Sequence, residues 1–224
     1  MNYTIEGGNL PVVKINLTAG EELVCESGAM SWMDDEIEMA TEAGGLGKML
    51  GRMVTKEHAF MNRYVARKGG EIALASSFPG SIKAIELTPG KDIIIQKGSF
   101  LAYYGDIQNE VYIQQKIGNG FFGGEGFLMR RYSGTGTVFL EIDGSAHVYD
   151  LPEGDCKVID TGYVAAMEGT CTMEIRRIKG VKNVLFGGEG FFNTVVRGPG
   201  KVVIQSMPIA ATAMVLYALM PHSN

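Results

Sequence analysis

The chain has 224 residues, a formal net charge of −5 at pH 7 and an isoelectric point near 5.3. This acidic balance, without a run of like charges, excludes the basic footprint that nucleic-acid-binding proteins present to phosphates. The 31 glycines lie among Val, Ile, Phe and Tyr residues, a composition typical of short strands joined by tight turns and not of a disordered chain.

Tandem repeats account for most of the chain. Gly-Gly-Glu-Gly-Phe at 123–127 returns at 187–191, and a Leu-x-x-Gly motif recurs at 17–20, 87–90 and 151–154. Self-similarity at a fixed period indicates units that stack to share a core. The sequence therefore predicts one composite domain. Its parts are repeat one (1–78), repeat two (79–143), repeat three (144–208) and an apolar C-terminal segment (209–224).

Each repeat contains the pattern of four or more short strands. In repeat two these lie near 85–87, 93–96, 99–103 and 137–142, with glycine turns between them. Alternating apolar and polar residues favour strands that have one solvated face. Many short strands with regular turns are typical of an all-β sandwich or a rolled sheet, so we expect this fold class.

Repeat one departs from this pattern at 43–57. Leu46, Met49, Leu50 and Met53 fall at helical spacing, opposite basic side chains, and predict a short amphipathic helix. The favoured interpretation is a helix that packs over the end of the sheet. A membrane-surface or partner-binding element, and a mobile loop that glycines keep from becoming helical, stay open.

The C-terminal segment contains an apolar run at 209–220 that includes Ile209, Val215 and Leu216. It is too short for the roughly 20 residues that a membrane-spanning helix needs. We expect an added strand or helix that is buried in the molecule or in an oligomer, and we favour this over contact with a membrane. Together with the 43–57 stripe, these residues form a candidate interaction surface.

Three glutamates occupy related places in the repeats. Glu125 and Glu189 lie inside the two glycine loops, and Glu57 is their counterpart in repeat one. Around a common axis, three carboxylates would form a candidate cation or ligand site, because hard cations such as Ca²⁺ prefer oxygen ligands. The favoured interpretation is instead that each glutamate accepts hydrogen bonds from the backbone of its own or the next turn, since oxygen-only sites need six or more ligands.

No catalytic or metal-binding constellation is apparent in the sequence. The three histidines lack metal-ligand spacing, the three cysteines form no C-x-x-C pair, and no serine has a nucleophile-elbow motif. Cys25 aligns with Ile95 and Ile159 and is predicted to be buried. We therefore expect a protein that is not an enzyme and needs no cofactor or metal.

The repeats also carry a family resemblance. Cys-Glu-Ser-Gly-Ala-Met at 25–30, the Phe-Gly-Gly-Glu-Gly-Phe loops at 122–127 and 186–191, and Arg-Gly-Pro-Gly-Lys-Val at 197–202 resemble the family of altered inheritance of mitochondria protein 24 and its bacterial relatives. The resemblance implies three shortened double-stranded β-helix repeats around a pseudo-threefold axis, similar to the subunit of the tryptophan RNA-binding attenuation protein. It implies no catalytic residues.

Two functional hypotheses follow. The favoured one is a non-catalytic scaffold or interaction protein, a homo-oligomer with a protein partner or a peripheral membrane contact. The other is a small-ligand or metal-binding protein, conceivably enzymatic, that uses clefts between repeats. Residues 1–9 lack the basic and apolar regions of a signal peptide, so we expect a cytoplasmic location.

Overall fold

A computed structural model describes residues 2–40, 61–115, 126–177 and 192–220. These residues form antiparallel sheets and one short helix, which confirms the predicted all-β, sandwich-like class. The helix predicted within 43–57 lies outside the described residues. The predicted strands are present, and the third and last strands of repeat two extend well beyond the stretches that alternation indicates.

The strands follow the repeats in chain order. Repeat one contains β1 (Asn2–Glu6), β2 (Val12–Thr18), β3 (Glu22–Glu26), β4 (Met30–Met33), β5 (Ile37–Met39), β6 (Met61–Ala66) and β7 (Gly69–Ala75). Repeat two contains β8 (Gly80–Leu87), β9 (Ile93–Gln96), β10 (Phe100–Gln115) and β11 (Phe127–Asp143). Repeat three contains β12 (Ala146–Leu151), β13 (Cys156–Asp160), β14 (Val164–Glu168), β15 (Thr172–Arg177), β16 (Phe192–Arg197) and β17 (Gly200–Gln205), and the helix α1 (Ile209–Leu219) follows.

One pairing scheme recurs in all three repeats. In repeat one, β7 pairs with β2 and β4, while β6 pairs with β3 and β5. In repeat three, β17 pairs with β12 and β14, while β16 pairs with β13 and β15. Repeat two uses the same scheme, but its long strands β10 and β11 each span the positions of two strands in the other repeats.

Neighbouring repeats are joined by strand pairing and by a shared core. β3 pairs with the start of β10, and β9 pairs with β14. The core cluster of repeat one includes Leu101 and Phe139 from repeat two, and that of repeat three includes Ile94 and Met129. Within the described ranges no strand of repeat one pairs with a strand of repeat three, so the pseudo-threefold arrangement stays a prediction.

Close chain approach explains why residue 134 of β11 is a glycine. At Gly134 the φ angle is +121°, and a Cβ atom there would lie 2.2 Å from the carbonyl oxygen of Asp106 on β10. Only glycine adopts this backbone region without strain and leaves room for the neighbouring strand. Gly134 thus lies where the backbones of β10 and β11 approach each other closely.

Candidate functional site between repeats two and three

A cleft of about 590 Å³ opens between repeats two and three. Its walls come from β8 and the following turn, from β12, from the end of β14 and from β17. The apolar side chains that line it include Ile85, Leu87, Leu140, Met167 and Val203. This volume is within the usual range for small-molecule sites, which are mostly apolar with a few polar groups. The second functional hypothesis places a ligand site in a cleft of this kind.

Six charged side chains border the cleft: Lys83, Lys91, Lys201, Glu86, Asp92 and Glu168. Each carboxylate is already engaged by the protein. Glu86 accepts the Thr137 hydroxyl at 2.9 Å, Asp92 forms an ion pair with Arg131 at 3.1 Å, and Glu168 accepts the backbone N–H of Lys201 at 2.9 Å.

The three lysines differ from the carboxylates in their contacts. Within the described part of the chain, none of the three ammonium groups lies within ion-pair distance of a carboxylate. Lysine ammonium groups bind anions as compact, mobile charges. The cleft therefore combines an apolar floor with cations that are open to an anionic ligand.

Buried polar side chains connect consecutive repeats. Glu141 is buried in β11 and accepts hydrogen bonds from the Ser76 hydroxyl at 3.0 Å and the Ser77 backbone N–H at 2.8 Å. Gln205, its counterpart in the repeat alignment, accepts the Asp143 backbone N–H at 3.1 Å. The Glu141 contact joins β11 to the linker that precedes repeat two, and the Gln205 contact joins β17 to the end of β11. Sequence analysis missed them, although the alignment of Glu141 with Gln205 in an otherwise apolar strand was a usable signal.

The carboxyl of Glu26, which lies between repeats one and two, has a raised pKa. Burial, reinforced by the charge of Glu141, raises the pKa of Glu26 to about 7, and Lys97 partly opposes this shift. Burial also raises the pKa of Glu141. Glu26 borders a small crevice that is also lined by Arg130 and Tyr132. A carboxyl that titrates near neutrality marks this junction as sensitive to pH.

The glutamates of the predicted cation site are not among the described residues. Glu57, Glu125 and Glu189 all lie outside the described ranges, so their convergence stays a prediction. In the part of the chain that is described, no group of three or more His, Cys, Asp or Glu side chains is placed to hold a metal ion. Cys25 is buried, as its alignment predicts, and burial raises the pKa of its thiol to about 12.

The candidate interaction surface is only partly visible. Leu46, Met49, Leu50 and Met53 lie outside the described residues. Ile209, Val215 and Leu216 belong to α1 and are 47%, 61% and 59% exposed. The run is therefore not covered by its own molecule at these positions, and its burial in an oligomer, the other form of the expectation, stays a prediction. No described helix is both long and apolar enough to cross a membrane.

These features define an all-β repeat protein whose second and third repeats enclose an apolar cleft with a lysine rim. Residues 3–207 match the family model described as Mitochondrial biogenesis AIM24, and the chain belongs to this family. An uncharacterised protein of Streptococcus pyogenes serotype M6 is 31% identical, with 100% of this chain and 93% of that protein aligned. An X-ray crystal structure of a Streptococcus pyogenes protein is similar, with a TM-score of 0.81, 28% identity and coverage of 98% of this chain and 99% of that one.

Proposed function

We propose that this chain is a non-catalytic, cytoplasmic interaction protein that binds a protein partner through α1. The observation that carries the proposal is the exposure of an entirely uncharged helix of 11 residues. Met214, Val215, Leu216, Tyr217 and Leu219 are all exposed. Contiguous exposed apolar surface on a soluble protein marks an interaction site, because its hydration is unfavourable until a partner covers it.

The chemistry of α1 favours a protein groove over a lipid surface. Helices that lie in a membrane interface have one charged face, commonly rich in Lys and Arg. Ile209–Leu219 contains Thr212 and Tyr217 as its only polar side chains and no charge at all. A helix that is apolar on all sides is normally buried in protein or spans a membrane, and 11 residues are too few to span one. We therefore expect the partner to provide an apolar groove that encloses most of the helix circumference.

The start of α1 is held firmly, so the helix is presented at a fixed place. The Asp143 carboxylate accepts the Ile209 backbone N–H at 2.7 Å, and Pro208 is buried. A carboxylate at a helix N-terminus satisfies a free N–H and interacts favourably with the helix dipole. This contact anchors the first turn to the end of β11, while the remaining turns stay available.

Site-specific photo-crosslinking tests the proposal. A photoreactive residue in place of Leu216 should give one discrete protein adduct in the producing cell, and Val215→Asp in the same chain should abolish it. The matched control carries the photoreactive residue in place of Val111, an exposed apolar residue of β10. Adducts that are absent, or identical at 111 and 216, would contradict the proposal. Flotation of the protein with phosphatidylglycerol vesicles that depends on Leu216 would also contradict the proposal and would favour a membrane surface.

The inter-repeat cleft supports a second candidate function, binding of an amphipathic anion. The apolar floor suits an alkyl or aromatic body, and Lys83, Lys91 and Lys201 suit a carboxylate or phosphate head. A ligand at 100 times its dissociation constant adds about 2.7 kcal/mol of stability. Laurate and dodecyl phosphate should therefore raise the melting temperature, whereas dodecanol should raise it less.

Substitution of the rim lysines gives the control for this second function. Lys91→Met with Lys201→Met should remove the shift that the two anions produce. Lys68→Met, which changes an exposed lysine paired with Glu36 outside the cleft, should leave it unchanged. A shift that survives the double substitution, or no shift with either anion, would exclude this function.

A further inference from the structure

The cleft between repeats two and three runs along the outer edge of β8. Five consecutive residues of this strand line the cleft, from Lys83 to Leu87. Because successive side chains of a strand point to opposite faces, a cleft that all five residues border lies along the edge of the strand and not over one face. Among the described residues β8 pairs only with β11. Its outer backbone N–H and C=O groups are therefore available to an added strand.

In repeat one the equivalent edge carries such a strand. β2, β8 and β12 are equivalent, since each pairs with the closing strand of its repeat and sets a leucine opposite a glycine: Leu17 and Gly70, Leu87 and Gly136, Leu151 and Gly200. β1 lies on the outer edge of β2 and pairs with it antiparallel along its whole length. Within the described ranges, β8 has no counterpart of β1.

β1 also occupies the space that corresponds to the cleft. The wall opposite β8 includes Val203, and the equivalent residue of repeat two is Phe139, since each lies three residues after the glycine of its closing strand. The ring of Tyr3 on β1 meets the Phe139 ring edge-on, with 5.1 Å between the centroids. Phe139 is fully buried, whereas Val203 is only partly buried. An extended segment thus closes the first junction at the place where the second junction is open.

The open cleft differs from its closed counterpart in charge. Each of its three lysines replaces a residue that is not basic: Lys83 stands for Val13, Lys91 for Glu21 and Lys201 for Thr137. In the pairing of β1 with β2, Ile5 opposes Val13 and Tyr3 opposes Ile15. A segment added to β8 in the same register sets its equivalent of Ile5 opposite Lys83, where a carboxylate is favoured. Its equivalent of Tyr3 comes opposite Ile85, where an apolar side chain is favoured.

We infer that the cleft binds an extended, acidic segment of a partner protein, paired antiparallel with β8 as β1 is paired with β2. A large apolar side chain of this segment lies opposite Ile85 and against Val203, and a carboxylate two residues later lies opposite Lys83. In this mode of recognition main-chain hydrogen bonds give affinity and alternate side chains give specificity. The inference rests on the second candidate function, whose ligand it specifies, and does not depend on what α1 binds.

Fluorescence anisotropy with labelled peptides tests the inference. The probe is a peptide of residues 2–8 of this chain with capped ends and the substitution Ile5→Glu, which sets a carboxylate opposite Lys83. The matched control carries Thr4→Glu, which has the same net charge but turns the carboxylate to the other face, opposite Ala84. The probe should bind about fivefold more tightly than the control. Equal binding of the two acidic peptides, or no binding of either, would overturn the inference.

Methylation of backbone amides tests the strand pairing itself. Alternate N–H groups of a strand point to opposite edges, so methyl groups on the amides of residues 3 and 5, or of 4 and 6, block one edge each. Only one of these two forms of the probe should lose binding, because only one edge pairs with β8. Loss in both forms or in neither would overturn the inference.

A lysine substitution tests the predicted register from the side of the protein. Lys83→Met, at an exposed position, should remove the advantage of the Ile5→Glu peptide over the Thr4→Glu peptide. Lys68→Met, outside the cleft, should preserve that advantage. An advantage that survives Lys83→Met would overturn the inference.

Competition with laurate separates this inference from the function on which it rests. Laurate should displace the probe, because both occupy the same cleft. A rise in melting temperature with laurate and no binding of any peptide would overturn the inference and leave the second candidate function standing. No effect of either ligand would exclude both.

Discussion

The Glu141 carboxylate accepts the backbone N–H of Ser77 at 2.8 Å and thereby ties β11 to the linker between repeats one and two. Glu141→Ala should lower the free energy of unfolding by about 1–3 kcal/mol, because the half-buried Ser76 hydroxyl and the Ser77 backbone N–H lose a carboxylate acceptor. Glu141→Gln should cost less, since Gln205 makes the equivalent contact in repeat three with an amide oxygen. Urea denaturation of both variants measures the difference, and equal losses would contradict this account of the linker.

Stability should depend on pH through Glu26. Its pKa of about 7 in the folded protein lies above its ordinary value of 4.5, so the folded state binds more protons between these values. The free energy of unfolding therefore falls as pH rises through this window. The stabilising contribution of the neutral carboxyl is complete below about pH 4.5 and is lost as pH rises past 7.

Glu26→Gln should remove this dependence. At pH 8 the variant should be more stable than the wild type by about 1–2 kcal/mol, a value discounted for the partial solvent screening of this carboxyl. The difference should shrink toward pH 5. Urea denaturation across this range is the measurement, with Glu110→Gln, an exposed residue of β10, as the matched control. If the difference in unfolding free energy between Glu26→Gln and the wild type stays constant across this pH range, this role for Glu26 is ruled out.

The contact between Asp143 and Ile209 should decide whether the first turn of α1 is ordered. Asp143→Ala should lower stability by about 1 kcal/mol, as the loss of a helix N-terminal acceptor usually does. Amide hydrogen exchange at 209–212 should rise at the same time. Asp143→Asn keeps an acceptor oxygen and should preserve most of the protection. Unchanged exchange in Asp143→Ala would show that α1 is held by other contacts.

Gly134 should not tolerate a side chain. Gly134→Ala would force a Cβ atom to within 2.2 Å of the Asp106 carbonyl oxygen at a φ of +121°. We expect a loss of more than about 2 kcal/mol, because this change combines backbone strain with a steric clash. Gly98→Ala is the control, since a Cβ there meets no atom within 4 Å, and it should change stability by less than about 0.5 kcal/mol. Equal melting temperatures of the two variants in thermal unfolding would contradict this explanation of Gly134.

Much of the fold could be predicted from particular residues. The alternation at 13–17 and the apolar run at 93–96 predict β2 and β9, because the period of two is a local property of an extended chain. The alignment of Cys25 with Ile95 and Ile159 predicts its burial, since repeats place equivalent residues in equivalent surroundings. The continuous length of β10 and β11 was not predicted, because glycines such as Gly134 and Gly136 read as turns in the sequence but lie within β11.

The sequence by itself determined the tandem repeats, the all-β class and the positions of strands and turns, because these depend on local periodicity and on backbone conformations that only glycine adopts freely. Only the tertiary structure decided that α1 is exposed, that Lys83, Lys91 and Lys201 surround one cleft, and that β4 and β13 each pair on one side only among the described strands. Those properties depend on how distant segments come together, since burial and pairing are set by neighbours that no local pattern encodes.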